Sequence, residues 1–267
     1  MSGSCLLEAC VGSVEGAVAA QVGGAGRVEL CADLLEGGCT PSLGAIQVAR
    51  EMLHIPMNVI VRPRGGDFLY SHVEYETMKR DIDLAGQAGA DGVVVGILTE
   101  DGQVDAERTG ELIERARPMS VTFHRAFDVA RDPFEALETL IALGVDRLLT
   151  SGQEATALEG SALIAELVRL AGDRLIVMPG GGINEGNLAE VAASTRAQEF
   201  HARAPLAEES RMVLRKELVL DGGARRFPEY TTEGADARLV AALAGILKRV
   251  GAGHGQACHG LKTMGKP

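Results

Sequence analysis

The chain contains no tryptophan, and aromatic residues make up only 3% of its 267 positions. So few flat faces leave little on which single-stranded bases could stack. Positive charge is also short: 26 Lys and Arg stand against 37 Asp and Glu, a formal charge of −11. An acidic surface repels phosphate backbones and anionic lipid, so neither nucleic acid nor a membrane surface is expected as a partner. No apolar run reaches the roughly 18 residues of a spanning helix. The opening MSGSCLLEAC arrives at Glu8 before any stretch of signal-peptide length, and a cytoplasmic location is expected. No Cys-x-x-C spacing occurs. The five cysteines (Cys5, Cys10, Cys31, Cys39, Cys258) are an odd number, better read as thiols, ligands or core residues than as a disulfide framework.

What is present fits an ordinary globule, with 46% hydrophobic and 24% charged residues in a length near the upper size of one domain. One local pattern keeps returning. GGAGRVELC (23–31), AGADGVVVG (88–96), LGVDRLLTS (143–151) and AGDRLIVMP (171–179) each place glycine and a polar pair before an apolar run. That order reads as a helix ending at glycine, a short turn, then a strand covered on both faces. Strands are expected near 6–11, 27–32, 57–62, 92–98, 120–125, 146–151, 175–179 and 197–202. Helical patterns lie between them, among them 14–22, 75–88, 106–116, 134–143 and 155–170. Eight strand-then-helix units predict an α/β fold, a single (β/α)8 TIM barrel. The alternative is an open doubly wound sheet, which would want a Gly-rich turn after the first strand; Val11-Gly12-Ser13 is not one. The strand signal stops after about residue 205, and 237–250 reads as a closing amphipathic helix. Residues 1–250 are thus assigned to the barrel and 251–267 to a disordered tail.

Period-two alternation divides each strand into two faces. Glu8 and Cys10 share one face of the first strand, Glu29 and Cys31 one face of the second, and Arg62 and Arg64 one face of the third. Thr122 and His124 pair in the fifth, Glu199 and His201 in the eighth. The opposite faces are apolar and must meet the helices, which directs the polar faces inward. A purely structural barrel fills its interior with branched apolar residues, whereas buried charge persists as a satisfied network or as a site.

The motifs LEAC (7–10), VELC (28–31), EGG-x-TPS (36–42), RPRGGDF-x-YS (62–71), VTFHRAFD (121–128), LTSGQ-x-x-x-ALEG (149–160) and MPGGGI-x-x-x-NL (178–188) together closely resemble the CutC family over about residues 6–205. The set in this order is highly specific. The resemblance implies a (β/α)8 barrel, a role in copper homeostasis with Cu(I) bound, and self-association into a homo-oligomer. It also implies that Cys10 and Cys31 are the copper ligands. One departure is Ala202, where relatives commonly carry serine.

Two chemistries follow from these residues. Cys10 and Cys31 end neighbouring strands about 4.8 Å apart and point inward, so their sulfurs could share a soft ion such as Cu(I). Read blandly, they are two small buried hydrophobes. The other chemistry is that of an isomerase, epimerase or lyase acting on a small anionic substrate, phosphate or carboxylate, without an organic cofactor. Glu29 or His124 would be the base, since crowded carboxylates titrate nearer neutrality and histidine is already there. Arg62 or Arg64 would clamp the anion. Glu8, Glu199 and His201 would complete the pocket, with Thr150, Ser151 and the loop Gly180, Gly181, Gly182 offering donors at the mouth. Schiff-base chemistry needs a barrel lysine, and Lys79, Lys216, Lys248, Lys262 and Lys266 all fall outside the strands. Cys39 is a candidate third soft ligand. Asp67 and Asp128 are expected to orient arginines, His54 and His72 to be solvated, and Met178 to be core. His254, Cys258 and His259 have metal-capable spacing within the tail.

Overall fold

Runs such as Met57–Ile60 and Gly92–Val95 are buried at every position, as expected of strands roofed on both faces. The computed structural model, which describes residues 5–216 and 230–257, assembles eight such strands in parallel. They are β1 (Leu6–Val11), β2 (Arg27–Leu30), β3 (Met57–Ile60), β4 (Gly92–Val95), β5 (Ser120–Phe123), β6 (Arg147–Thr150), β7 (Ile176–Pro179) and β8 (Glu199–Arg203). Their hydrogen-bonded order is β7-β6-β5-β4-β3-β2-β1-β8, and β7 packs beside β8 to close the circle. Helices α1 (Val14–Val22), α2 (Leu43–Met52), α3 (His72–Gln87), α4 (Ala106–Ala116), α5 (Pro133–Leu143), α6 (Ser161–Ala171), α7 (Leu188–Thr195) and α8 (Ala237–Ala257) surround it. This is the (β/α)8 barrel that the repeating units predict, not the open sheet.

Helix starts follow local chemistry. Ser13, Ser42 and Ser71 accept first-turn N–H groups, and Ser71 with Glu74 forms a reciprocal capping box. Asp132 accepts from Phe134 and Glu135, with Pro133 opening α5. Three expectations are revised. Residues 152–160 form turns rather than the start of α6, because Gly152, at φ +75°, packs against Gly160 with no room for a Cβ. Beyond residue 205 the chain adds β9 (Pro205–Glu209) and β10 (Thr231–Ala235), an antiparallel pair whose polar sequences carry no strand signature. Helix α8 runs through Ala257, past residue 250; residues 258–267, with Cys258 and His259, lie outside the described residues. No helix among the described residues is long and apolar enough to cross a membrane.

The apolar strand faces (Leu7, Ala9, Val11, Val28, Phe123, Phe200) join the helices in one outer core. The interior is different. Its floor is a charged layer that strand alternation brings together: Arg27 donates to Glu8 at 2.5 Å and to Glu199 at 2.6 Å, and Arg147 donates to Glu199 at 2.5 Å. Asn58 adds a 3.2 Å hydrogen bond to Glu8. Both arginines are buried. Removing one partner of such a network leaves uncompensated buried charge, worth about 3–5 kcal/mol. Arg27→Met should therefore cost stability of that order in urea unfolding, whereas Arg174→Ala, which loses an exposed pair with Glu138 and an exposed hydrogen bond to the Leu170 carbonyl, should change little.

Candidate functional site

Above the floor the barrel opens into a cavity of about 890 Å³, lined among others by Cys10, Glu29, Cys31, Arg62, His124, Gly180 and His201. Alternation thus brings most of the expected residues to one space. On its β1, β2 and β8 side, Cys10 Sγ and Cys31 Sγ lie 3.9 Å apart as free thiols. Ile60 and Val94 pack with Cys31, and Cys10 and Leu34 border them, so this side of the thiol pair is apolar. His201 reaches down through Nδ1 to Glu8 at 2.8 Å and through Nε2 towards Glu29 at 3.5 Å. Ligating atoms of Cys10, Glu29 and Cys31 lie within 4.8 Å of one another, as do those of Glu8, Glu29 and His201.

The electrostatics divide these groups sharply. Burial works against the Glu8 carboxylate, but the hydrogen bond to His201 and the Arg27 guanidinium outweigh it, holding its pKa at about 2. Burial likewise opposes a charged His201, yet its contacts with Cys10 and Glu8 raise it well above the ordinary imidazole range. The S–H of Cys31 directed at Cys10, followed by the His201 imidazolium, pulls the Cys10 thiol well down. Cys31, as the donor, is pushed up by the same contact and by burial. Glu29 is raised by burial and then by the charge on Cys10, which favours its protonated form. These directions favour negative charge on Cys10 and positive charge on His201, and neutral forms of Cys31 and Glu29 beside them. A protonated Glu29 is suited to donating a proton first, rather than to the base role expected of it.

The other expected residues fall differently. Arg62 borders the cavity, but it donates to the carbonyl oxygens of Glu36, Gly38 and Gly66, so it organises loops instead of clamping an anion. Arg64 does not line the cavity; it is held by Glu74 at 2.6 Å and by the carbonyls of Gly65, Asp67 and Leu69. The Thr150 hydroxyl and the Ser151 N–H both donate to Asp128, and the Ser151 hydroxyl to the Glu154 carbonyl, so these expected donors are already engaged. Gly180–Gly182 line the mouth, with Gly181 and Gly182 at positive φ. Glu199 belongs to the floor. Cys39 bridges to Ala32 and joins neither metal-capable group among the described residues. His54 and His72 are exposed, and Met178 is core that accepts from Arg27.

His124 departs most from expectation. Its ring is buried, and Nδ1 accepts the backbone N–H of Ala126 at 3.2 Å. Desolvation, then the charges of Arg62 and Arg125, lower its pKa to about 3. Its one basic nitrogen is occupied, so the ring is a neutral donor through Nε2–H and does not fit the base role. Gly96 makes room for it: a Cβ there would stand 2.3 Å from the ring. Arg27, Arg147, Asn58 and Arg125 were missed by the alternation argument. Arg27 and Arg147 stand at strand starts, and Arg125, within the expected strand 120–125, lies just past the end of β5.

A model described as the CutC family matches residues 5–205. The chain is 51% identical to the copper homeostasis protein cutC homolog of Mus musculus, over 92% of this chain and 90% of that one. The crystal structure of the copper homeostasis protein CutC of Streptococcus agalactiae is 34% identical, covering 74% of this chain and 97% of that chain with a TM-score of 0.71. Thiamine phosphate pyrophosphorylase of Pyrococcus furiosus shares the fold alone, at 18% identity and a TM-score of 0.55, over 93% of this chain and 98% of that one.

The buried His124 fixes a pH dependence. Its pKa lies near 6.5 when unfolded and about 3 when folded, so above 6.5 it contributes no slope. As pH falls from 6.5 towards 3 the unfolded chain binds a proton that the native ring refuses, and stability drops by up to about 1.4 kcal/mol per unit. The stability advantage of wild type over His124→Gln in urea titrations should shrink steadily across that window; a constant difference would mean an ordinary histidine.

Proposed function

Because this chain belongs to the CutC family, we propose that it serves copper homeostasis by binding Cu(I) inside the barrel through Cys10 and Cys31. The observation that carries this reading is the pair of sulfurs 3.9 Å apart that line one cavity. A metal–thiolate bond is about 2.3 Å in zinc sites, so two sulfurs at this spacing can share one ion. Thiolate and thiol donors select soft Cu(I) over hard cations. The depressed Cys10 thiol gives up its proton more readily than Cys31, and His201 beside it offsets negative charge on the sulfurs. The apolar border of Ile60, Val94 and Leu34 keeps water from competing on one side. Cu(I) held by thiols belongs to a reducing compartment, so the reading includes a cytoplasmic location.

A second reading rests on the size of the cavity. About 890 Å³ is far more than one ion occupies and falls in the range of small-molecule pockets. In that reading the cavity hosts an isomerase, epimerase or lyase reaction on a small anionic substrate, with protonated Glu29 as the acid.

Competition between the copper-free protein and a chromophoric Cu(I) chelator tests the first reading. One Cu(I) per chain is expected. Cys10→Ser and Cys31→Ser should each abolish tight binding, Cys39→Ser should leave it intact, and His201→Gln should weaken it about 10–100-fold through the neighbouring shell. Tight binding that survives the Cys10→Ser/Cys31→Ser double change would refute the reading.

A further inference from the structure

Another part of the same cavity's lining has a different character. His124 begins a short 3-10 turn that spans Arg125–Val129, so the two side chains are consecutive on the rim of β5. Both pack on one buried ring: the His124 ring centroid lies 5.0 Å from that of Phe68, and the Arg125 guanidinium carbon 5.3 Å from it. The Arg62 guanidinium sits 5.2 Å from the same centroid. Three cationic or donor side chains therefore meet around one aromatic ring, at the edge of the cavity that His124, Arg62 and Arg125 all line.

What singles out this wall is the lack of acceptors. Nε2 of His124 is buried and has no hydrogen-bond partner. It must carry the ring proton, because Nδ1 accepts from the Ala126 backbone, which can only donate. The Arg125 guanidinium makes no hydrogen bond or ion pair among the described residues, while Gly37, at φ +85°, lies so close that a Cβ would stand 2.6 Å from it. Asp128, the carboxylate nearest in sequence, is taken up by Thr150, Ser151 and Gln153. An unpaired buried donor is costly, and persists where a ligand supplies the acceptor. His124 is the buried donor without an acceptor, and Arg125, exposed at the cavity rim, is a cation beside it; together they suit negatively charged oxygen.

We propose that the β5 wall of the cavity is a binding subsite for a small oxyanion, a carboxylate or phosphate group, with the Nε2–H of His124 and the guanidinium of Arg125 as its donors. The assignment moves the anion contact from Arg62, whose terminal nitrogens serve loop carbonyls, to its neighbour. It gives His124 the part of a neutral donor fixed by its tautomer, in keeping with the depression of its basicity by burial and by the two arginines. A ligand held there by its oxyanion would extend towards Glu29, Cys10 and His201, which line the same cavity. This deepens the small-anion reading and is independent of copper binding.

The test uses copper-free full-length protein and two probes, inorganic phosphate and malonate, followed by the imidazole nitrogen resonances and by calorimetry. The free protein should show His124 as the Nε2–H form at neutral pH. Adding a probe should shift that resonance saturably. Arg125→Gln should weaken binding at least about tenfold, which is about 1.4 kcal/mol. His124→Gln, which keeps a donor where Nε2 stands, should retain binding that His124→Leu loses. Saturation by phosphate alone, by malonate alone or by both supports the subsite and identifies the oxyanion. No saturable shift with either probe, binding unchanged in Arg125→Gln, or His124 found as the Nδ1–H form overturns it. Copper binding is read separately by chelator competition, so failure of one assignment leaves the other standing.

Discussion

The interior of this barrel hangs on the carboxylate of Glu8. One of its oxygens takes Arg27 and Asn58, the other takes His201. A fully buried carboxylate survives only if every lone pair is answered, and here β2, β3 and β8 each send a side chain to answer it. The same contact holds the His201 imidazolium in place, and that imidazolium stabilises negative charge on Cys10. Floor and site are thus one electrostatic structure: the network that closes the barrel where β1 meets β8 also sets the ionisation of its sulfurs.

A consequence is a cavity with two unlike walls. Towards β1, β2 and β8 it presents sulfur, a protonated carboxyl and an imidazolium. Towards β3 and β5 it presents Arg62, Arg125 and a neutral imidazole N–H gathered around Phe68. Soft-metal binding and oxyanion binding draw on different walls and need not compete for residues. The family match over residues 5–205 spans both walls.

The barrel was legible in the sequence because the glycine-then-apolar unit recurs and its strands are uniformly apolar on one face. Alternation then assigned Glu8, Cys10, Glu29, His124 and His201 to the interior, since the opposite faces left no other place for them. What alternation could not reveal depends on partners distant in sequence. Arg27 and Arg147 lie at the starts of the expected strands, and alternation alone does not single them out as the residues that neutralise the floor. Arg62 and Arg64 look equivalent at period two, but β3 ends at Ile60, and the turn beyond it sends Arg64 to Glu74 on α3. The tautomer of His124 is set by a backbone N–H two residues on, a detail of turn geometry that no side-chain pattern encodes. The β9–β10 pair escaped notice because neither strand has an apolar face to bury.

The claim on which the rest depends is that the Cys31 contact, with His201 held in place by Glu8, favours a thiolate on Cys10 inside the barrel. Ultraviolet thiolate absorbance of the copper-free, reduced protein at neutral pH reads that charge directly. The account predicts absorbance that disappears in Cys10→Ser and falls in Glu8→Gln, where His201 loses its counter-charge. Equal absorbance in wild type and Cys10→Ser would contradict it.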